Sequence, residues 1–163
     1  MTERAYIGIG SNQDDPVAQV QAAFSALAEL PDTVLVANSA LYASRPMGPQ
    51  DQPDFVNAAA ALDTGLAAPA LLAAMQVIEA RQGRRRGAAR WGPRSLDLDL
   101  LLYGSAVIDV PGLRVPHPGL HERDFVIIPL AEIAGNLNIP GKGRLHMLIS
   151  KVENHSLRRL AAG

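Results

Sequence analysis

The chain has 163 residues and 17.3 kDa, enough to bury the core of one domain, and its 48% hydrophobic and 19% charged residues exclude a disordered segment. A formal net charge of -1 provides no global field to recruit nucleic acid or an anionic membrane. The absence of cysteine excludes disulfides, thiolate metal sites and thiol nucleophiles, and fits a reducing cytoplasm.

In chain order, Ala5–Ile9 is a short apolar run ended by Gly-Ser-Asn, which predicts a first strand. The opening "MTERAYIGIGSN" lacks the basic and long apolar regions of a signal peptide, and no apolar run is long enough to span a bilayer. A cytoplasmic protein without a membrane or nucleic-acid partner is therefore expected. Pro16 opens a helix that places Val17, Val20, Phe24 and Leu27 on one face, with Asp14 and Asp15 at its start. Residues 33–42, "TVLVANSALY", read as a second strand. Three prolines and a glycine make residues 44–53 an irregular loop. Residues 55–62, "FVNAAAAL", predict a third strand, although the alanines would also suit a helix. Residues 69–82 form an amphipathic helix ended by Gly83, a Gly- and Arg-rich loop follows, and residues 96–103 are a strand.

This β-α-β-β-α-β order predicts an α+β, ferredoxin-like fold: an antiparallel sheet with both helices on one face and the other face open to ligands. Further short strands and helices follow Gly104, including helical segments around "FVIIPLAEIA" and "GRLHMLISKV". No repeat or linker divides the chain, so residues 1–163 are expected to form a single domain.

The chemistry concentrates in "RWGPRSLDLDLLLYG", residues 90–104. Strand side chains alternate between faces, so Leu96, Leu98 and Leu100 share one face and Asp97 and Asp99 the other. Two carboxylates two residues apart lie about 6–7 Å from each other and call for a cation, either arginine or a hard divalent metal. Between Glu79 and Asp97 there is no acid but six arginines: Arg81, Arg84, Arg85, Arg86, Arg90 and Arg94. Guanidinium forks suit phosphate oxygens, so this loop beside an acid pair fits a magnesium-nucleotide site. Trp91 either stacks on a base or anchors the loop. Phe55 and Asn57 share a strand face and could stack on and hydrogen-bond a flat heterocycle. "GIGSN" has neither a P-loop nor a complete GxGxxG, so ATP would bind without a P-loop. His121, His146 and His155 have no metal-ligand spacing with acids.

In this order, "AYIGIGSN" (5–12), "GPQDQPDFVNA" (48–58), "RWGPRSLDLDLLLYG" (90–104) and "VPHPGLHERDFVIIPLAEIA" (115–134) resemble the 6-hydroxymethyl-7,8-dihydropterin pyrophosphokinase family. The resemblance implies transfer of pyrophosphate from Mg-ATP to the pterin hydroxymethyl group, with release of AMP. It implies two Mg²⁺ ions on Asp97 and Asp99, with ATP contacts from Glu79, Arg84, Arg86, Trp91, Arg94, His117 and Arg123. Arg84 and Arg94 would act on the transferred group together with the acid pair. Pterin contacts would come from Ser44, Met47, Phe55, Asn57 and Phe125. Phe55 and Pro118 stand where tyrosine is common in the family, and Arg45 lies in an altered loop start. A monomer acting on small molecules is expected. An RNA-binding module and a nucleotidyltransferase are the alternatives; the first is disfavoured by 4% aromatics, and the second would release pyrophosphate instead of AMP.

Overall fold

The computed structural model describes residues 2–13, 15–44, 54–83, 96–152 and 157–160. It is a mixed α/β fold with an antiparallel sheet and, among the described residues, four helices. The elements that frame the sheet are β1 (Glu3–Ser11), α1 (Pro16–Ala28), β2 (Thr33–Asn38), β3 (Tyr42–Ser44), β4 (Phe55–Thr64), α2 (Ala68–Gly83) and β5 (Asp97–Tyr103). After them come a hairpin of β6 (Ile108–Val110) and β7 (Leu113–Val115), then α3 (Asp124–Ala134). A second hairpin of β8 (Asn138–Ile139) and β9 (Gly143–Arg144) leads to α4 (Leu145–Ile149) and β10 (Arg158–Arg159).

The sheet runs β10-β3-β4-β1-β5, and β2 joins the same edge of β4 as β3 does. The expected order is present, but the second predicted strand is two strands. Ser39 breaks it: its Oγ accepts the Ala59 N–H at 2.8 Å and occupies a position that the backbone ladder would use. The next N–H, of Ala40, donates to the Glu132 carboxylate of α3 at 2.9 Å. The alanine-rich segment of β4 is a strand because both of its faces are buried, and small side chains let helices approach on both sides.

The first core lies between the sheet and α1 and α2. Val20, Ala23 and Leu27 of α1 meet Leu71, Met75 and Ile78 of α2 over Ile7, Ile9, Leu98 and Leu100. At the start of α1, Asp15 Oδ1 accepts the Ala18 N–H at 3.4 Å, as the acidic cap predicts. The opposite face differs from expectation. It is left open only in part, because α3 lays Val126, Ile127 and Leu130 against Tyr6, Ala61, Leu101 and Leu102 in a second core at one end. Burying side chains of this size stabilises the fold by about 1.5–3 kcal/mol each, which is what this end of the sheet would forfeit by staying wet. The "GRLHMLISKV" segment is also less helical than predicted, since Gly143–Arg144 pair as a strand and the helix covers five residues.

Candidate active site

The site lies on the α3 face of the sheet, beyond the end that α3 covers. The register makes it readable as rows of side chains running from β4 through β1 to β5. Ala61, Tyr6 and Leu102 form one row, buried in the second core. Ala59, Gly8 and Asp99 form the next, and Asn57, Gly10 and Asp97 the one after. Asp97 is exposed and Asp99 half-exposed, on the face away from Leu98 and Leu100, as the alternation predicts. Strand spacing places the Asn57 and Asp97 backbones about 10 Å apart. The β1 residue between them has no side chain.

Asn57 is buried and oriented. Its Nδ2 donates to Ser44 Oγ at 2.8 Å, and both side chains lie within the protein. Phe55 is half-buried at the start of β4, opposite Ser44 on β3. The sequence-predicted residues Ser44, Phe55 and Asn57 therefore meet on one face. Phe125 belongs to the first turn of α3 and packs on the second core, where the Arg123 guanidinium stands 6.0 Å from its ring centre. That guanidinium also lies over Gly119, at which a Cβ would come within 3.2 Å of it.

Two other predicted residues address the acid pair. His117 Nδ1 accepts the Gly119 N–H at 3.1 Å, which leaves the proton on Nε2, and Nε2 lies 3.8 Å from Asp99 Oδ1. The His117 N–H donates to Leu101 O at 2.9 Å and fixes this segment beside β5. Glu79 reaches from α2 to accept the Leu98 N–H at 2.9 Å, between the two aspartates. Met47, Arg84, Arg86, Trp91 and Arg94 lie outside the described residues, as do Arg45 and most of the two loops that hold them.

Beside Asp99 opens a cavity of about 570 Å³, between α2, β5 and the β6–β7 hairpin. Leu72, Leu98, Gly112 and Arg114 are among its walls, and Arg114 Nε pairs with Asp109 at 3.1 Å. These hairpin residues carried no signal of chemistry in the sequence. Only the Pro111-Gly112 turn, with Gly112 at φ 83°, marks the hairpin. Gly10 was missed as well, although glycine inside a central strand is a signal of close approach.

A metal ion fits the acid pair. Among the described residues no cluster of three or more acidic or histidine side chains could hold an ion alone. Magnesium does not need one, because it binds through one or two carboxylates and completes its shell with water and phosphate oxygens. The exposed Asp97 and half-exposed Asp99 leave room for that shell.

Residues 6–135 match the family model described as 7,8-dihydro-6-hydroxymethylpterin-pyrophosphokinase (HPPK). The chain is 49% identical to the 2-amino-4-hydroxy-6-hydroxymethyldihydropteridine pyrophosphokinase of Pseudomonas aeruginosa, covering 98% of each. It is 47% identical to the protein of the same name from Haemophilus influenzae, over 96% of this chain and 97% of that one. Its fold superposes on Plasmodium falciparum HPPK-DHPS crystallised with STZ-DHP at a TM-score of 0.73 and 12% identity, spanning 93% of this chain but 43% of that longer one. The face that carries an acid pair and an oriented amide thus sits in a chain that belongs to the 7,8-dihydro-6-hydroxymethylpterin-pyrophosphokinase family.

Proposed function

We propose that the acid pair and Asn57 divide one substrate-binding face between the two substrates of the family reaction. The chain is an ATP-using pyrophosphokinase that transfers a pyrophosphoryl group to the hydroxymethyl group of 6-hydroxymethyl-7,8-dihydropterin in folate biosynthesis. Asp97 and Asp99 would hold two Mg²⁺ ions, and the cavity beside Asp99 would receive the nucleoside end of ATP. Asn57, with Phe55 and Phe125, receives the pterin, and Ser44 and Met47 contact its edge.

One observation carries this reading: the acid pair and the oriented amide share one sheet face, two strands apart, with only glycine between them. A hydroxymethyl group directed from Asn57 toward Asp97 can meet a phosphate chain arriving from the cavity side. When bound, Mg²⁺ neutralises phosphate charge and aligns the oxygens of the transfer. The hydroxyl oxygen forms the new bond to the β-phosphorus as the bond from that phosphorus to the α-phosphate oxygen breaks. The hydroxyl proton is released, and AMP departs.

Glu79 holds the strand between the two carboxylates, and His117 Nε2–H meets charge developing near Asp99. Arg84, Arg86, Trp91 and Arg94 are assigned to ATP, with Arg84 and Arg94 acting on the transferred group, and Arg123 is assigned to the nucleotide side. No obligatory general base is assigned, because positioning and electrostatics supply most of such a transfer. Residues 1–163 act as a single domain, a reading supported by the two cores that share one sheet, and the monomer is the proposed acting form. The test is a product assay with ATP, Mg²⁺ and the dihydropterin alcohol. Pterin-dependent AMP in equal amount to pyrophosphorylated pterin is expected; ADP or free pyrophosphate as the stoichiometric product overturns the reading.

A further inference from the structure

Gly8 and Gly10 occupy a central strand, where glycine weakens packing and contributes no side chain. Neither residue has a positive φ, so the backbone does not require glycine at either place. What differs is the space beside them. A Cβ at Gly8 would meet only the Leu101 methyl groups, at 3.4 Å, an ordinary van der Waals contact. A Cβ at Gly10 would stand 3.3 Å from Asn57 Oδ1. Because Nδ2 is engaged by Ser44 Oγ, Oδ1 is the atom that Asn57 presents toward Gly10.

We propose that Gly10 is a specificity-determining residue, whose missing side chain is the opening through which Asn57 Oδ1 accepts a hydrogen bond from a ring N–H of the pterin. This rests on the reading that Asn57 contacts the pterin. A methyl group at position 10 covers that oxygen and fills the passage from Asn57 to Asp97, along which the hydroxymethyl group points. A methyl at position 8 does neither, because its row is closed by Ala59 and leads to Asp99. Gly10 therefore selects a flat ring with an N–H donor and a one-carbon arm, and the nucleotide side does not sense it.

The experiment titrates 6-hydroxymethyl-7,8-dihydropterin calorimetrically into protein holding Mg²⁺ and a non-hydrolysable ATP analogue, and measures KM for both substrates. Gly10→Ala is expected to weaken pterin binding about tenfold, the equivalent of one lost hydrogen bond, with KM for ATP within about twofold of the parent. Gly8→Ala should bind pterin like the parent, and adding Gly10→Ala to Asn57→Ala should weaken binding less than Gly10→Ala does in the parent. Unchanged pterin affinity in Gly10→Ala, an equal loss in Gly8→Ala, or full additivity with Asn57→Ala overturns the proposal. If Gly10→Ala does not fold, removal of the amide in the double variant must restore its melting temperature, or the proposal falls. Should Asn57→Ala alone leave pterin affinity intact, the assignment of the pterin side fails, an outcome distinct from a failure of Gly10 alone.

Discussion

Glu79 Oε2 accepts the backbone N–H of Leu98 at 2.9 Å, so a carboxylate on α2 holds the strand at the residue between Asp97 and Asp99. Among the described residues β5 is an edge strand of the sheet, so N–H groups on its outer side need partners other than a ladder, and this one is satisfied by a side chain. Glu79→Gln keeps an acceptor and should retain most activity. Glu79→Ala should lower kcat roughly tenfold or more, since a hydrogen bond to a charged group is worth about 1.5–3 kcal/mol. It should also weaken Mn²⁺ binding measured by electron paramagnetic resonance. Parent-like Mn²⁺ affinity in Glu79→Ala shows that the contact does not position the acids.

The two acids stand two residues apart on one face of β5, so their charges repel each other. At about 6.7 Å in water the repulsion is on the order of 0.6 kcal/mol, less in salt. Asp97→Asn should therefore keep or slightly raise the melting temperature in chelator, while losing at least about a hundredfold in turnover. It should also lose the rise in melting temperature that Mg²⁺ with an ATP analogue gives the parent. A marked drop in melting temperature in chelator would instead assign Asp97 a structural role.

Leu72 lines the cavity beside Asp99 and lies far along α2 from the pterin row. Leu72→Trp fills part of that volume with an indole. KM for ATP should rise about tenfold or more while pterin affinity stays within about twofold of the parent. Equal losses for both substrates would place the nucleoside elsewhere.

Tyr42 and Glu132 offer a pH test. Burial, and then the 2.6 Å bond from the Tyr42 hydroxyl to the Glu132 carboxylate, push the phenol up to about 12. The neutral phenol is favoured in the folded state, against an ordinary value near about 10 in the unfolded chain. The stability it contributes is complete below pH ~10 and is lost as pH rises toward ~12. Tyr42→Phe should cost about 1.5 kcal/mol at neutral pH and flatten the alkaline slope of the melting temperature between those values. An unchanged slope assigns the alkaline loss to other groups.

What the sequence revealed and what it concealed follow from range. The outward direction of Asp97 and Asp99 was legible because strand alternation is local, and the buried stripes of α1 and α2 were legible for the same reason. The break after Asn38 was not, because it depends on Glu132, 92 residues beyond Ala40. The cover over the second face was hidden too: nothing in "FVIIPLAEIA" says which side of a sheet it will meet. Glu79 could be placed on the nucleotide side only by resemblance, and its bond to Leu98 required the docking of α2 against β5. The row Asn57-Gly10-Asp97 exists only in the register, which joins three segments of chain that no periodicity connects.

The shift in β5 between the pairs Ile7/Leu100 and Tyr6/Leu102 inserts Leu101 as an extra residue. It explains how Leu100 can face one core while both Leu101 and Leu102 face the other. The strand thereby becomes two independent rulers, one calibrated to ligands and one to the interior. Regular pairing with Leu101 retained would make Leu102 and Tyr103 exchange sides, whereas deleting Leu101 would leave Asp97, Asp99 and Leu102 on one face and Leu98, Leu100 and Tyr103 on the other, with one side chain fewer in the second core. A chain shortened by one residue at this point would therefore keep its acids outward and forfeit only packing under α3.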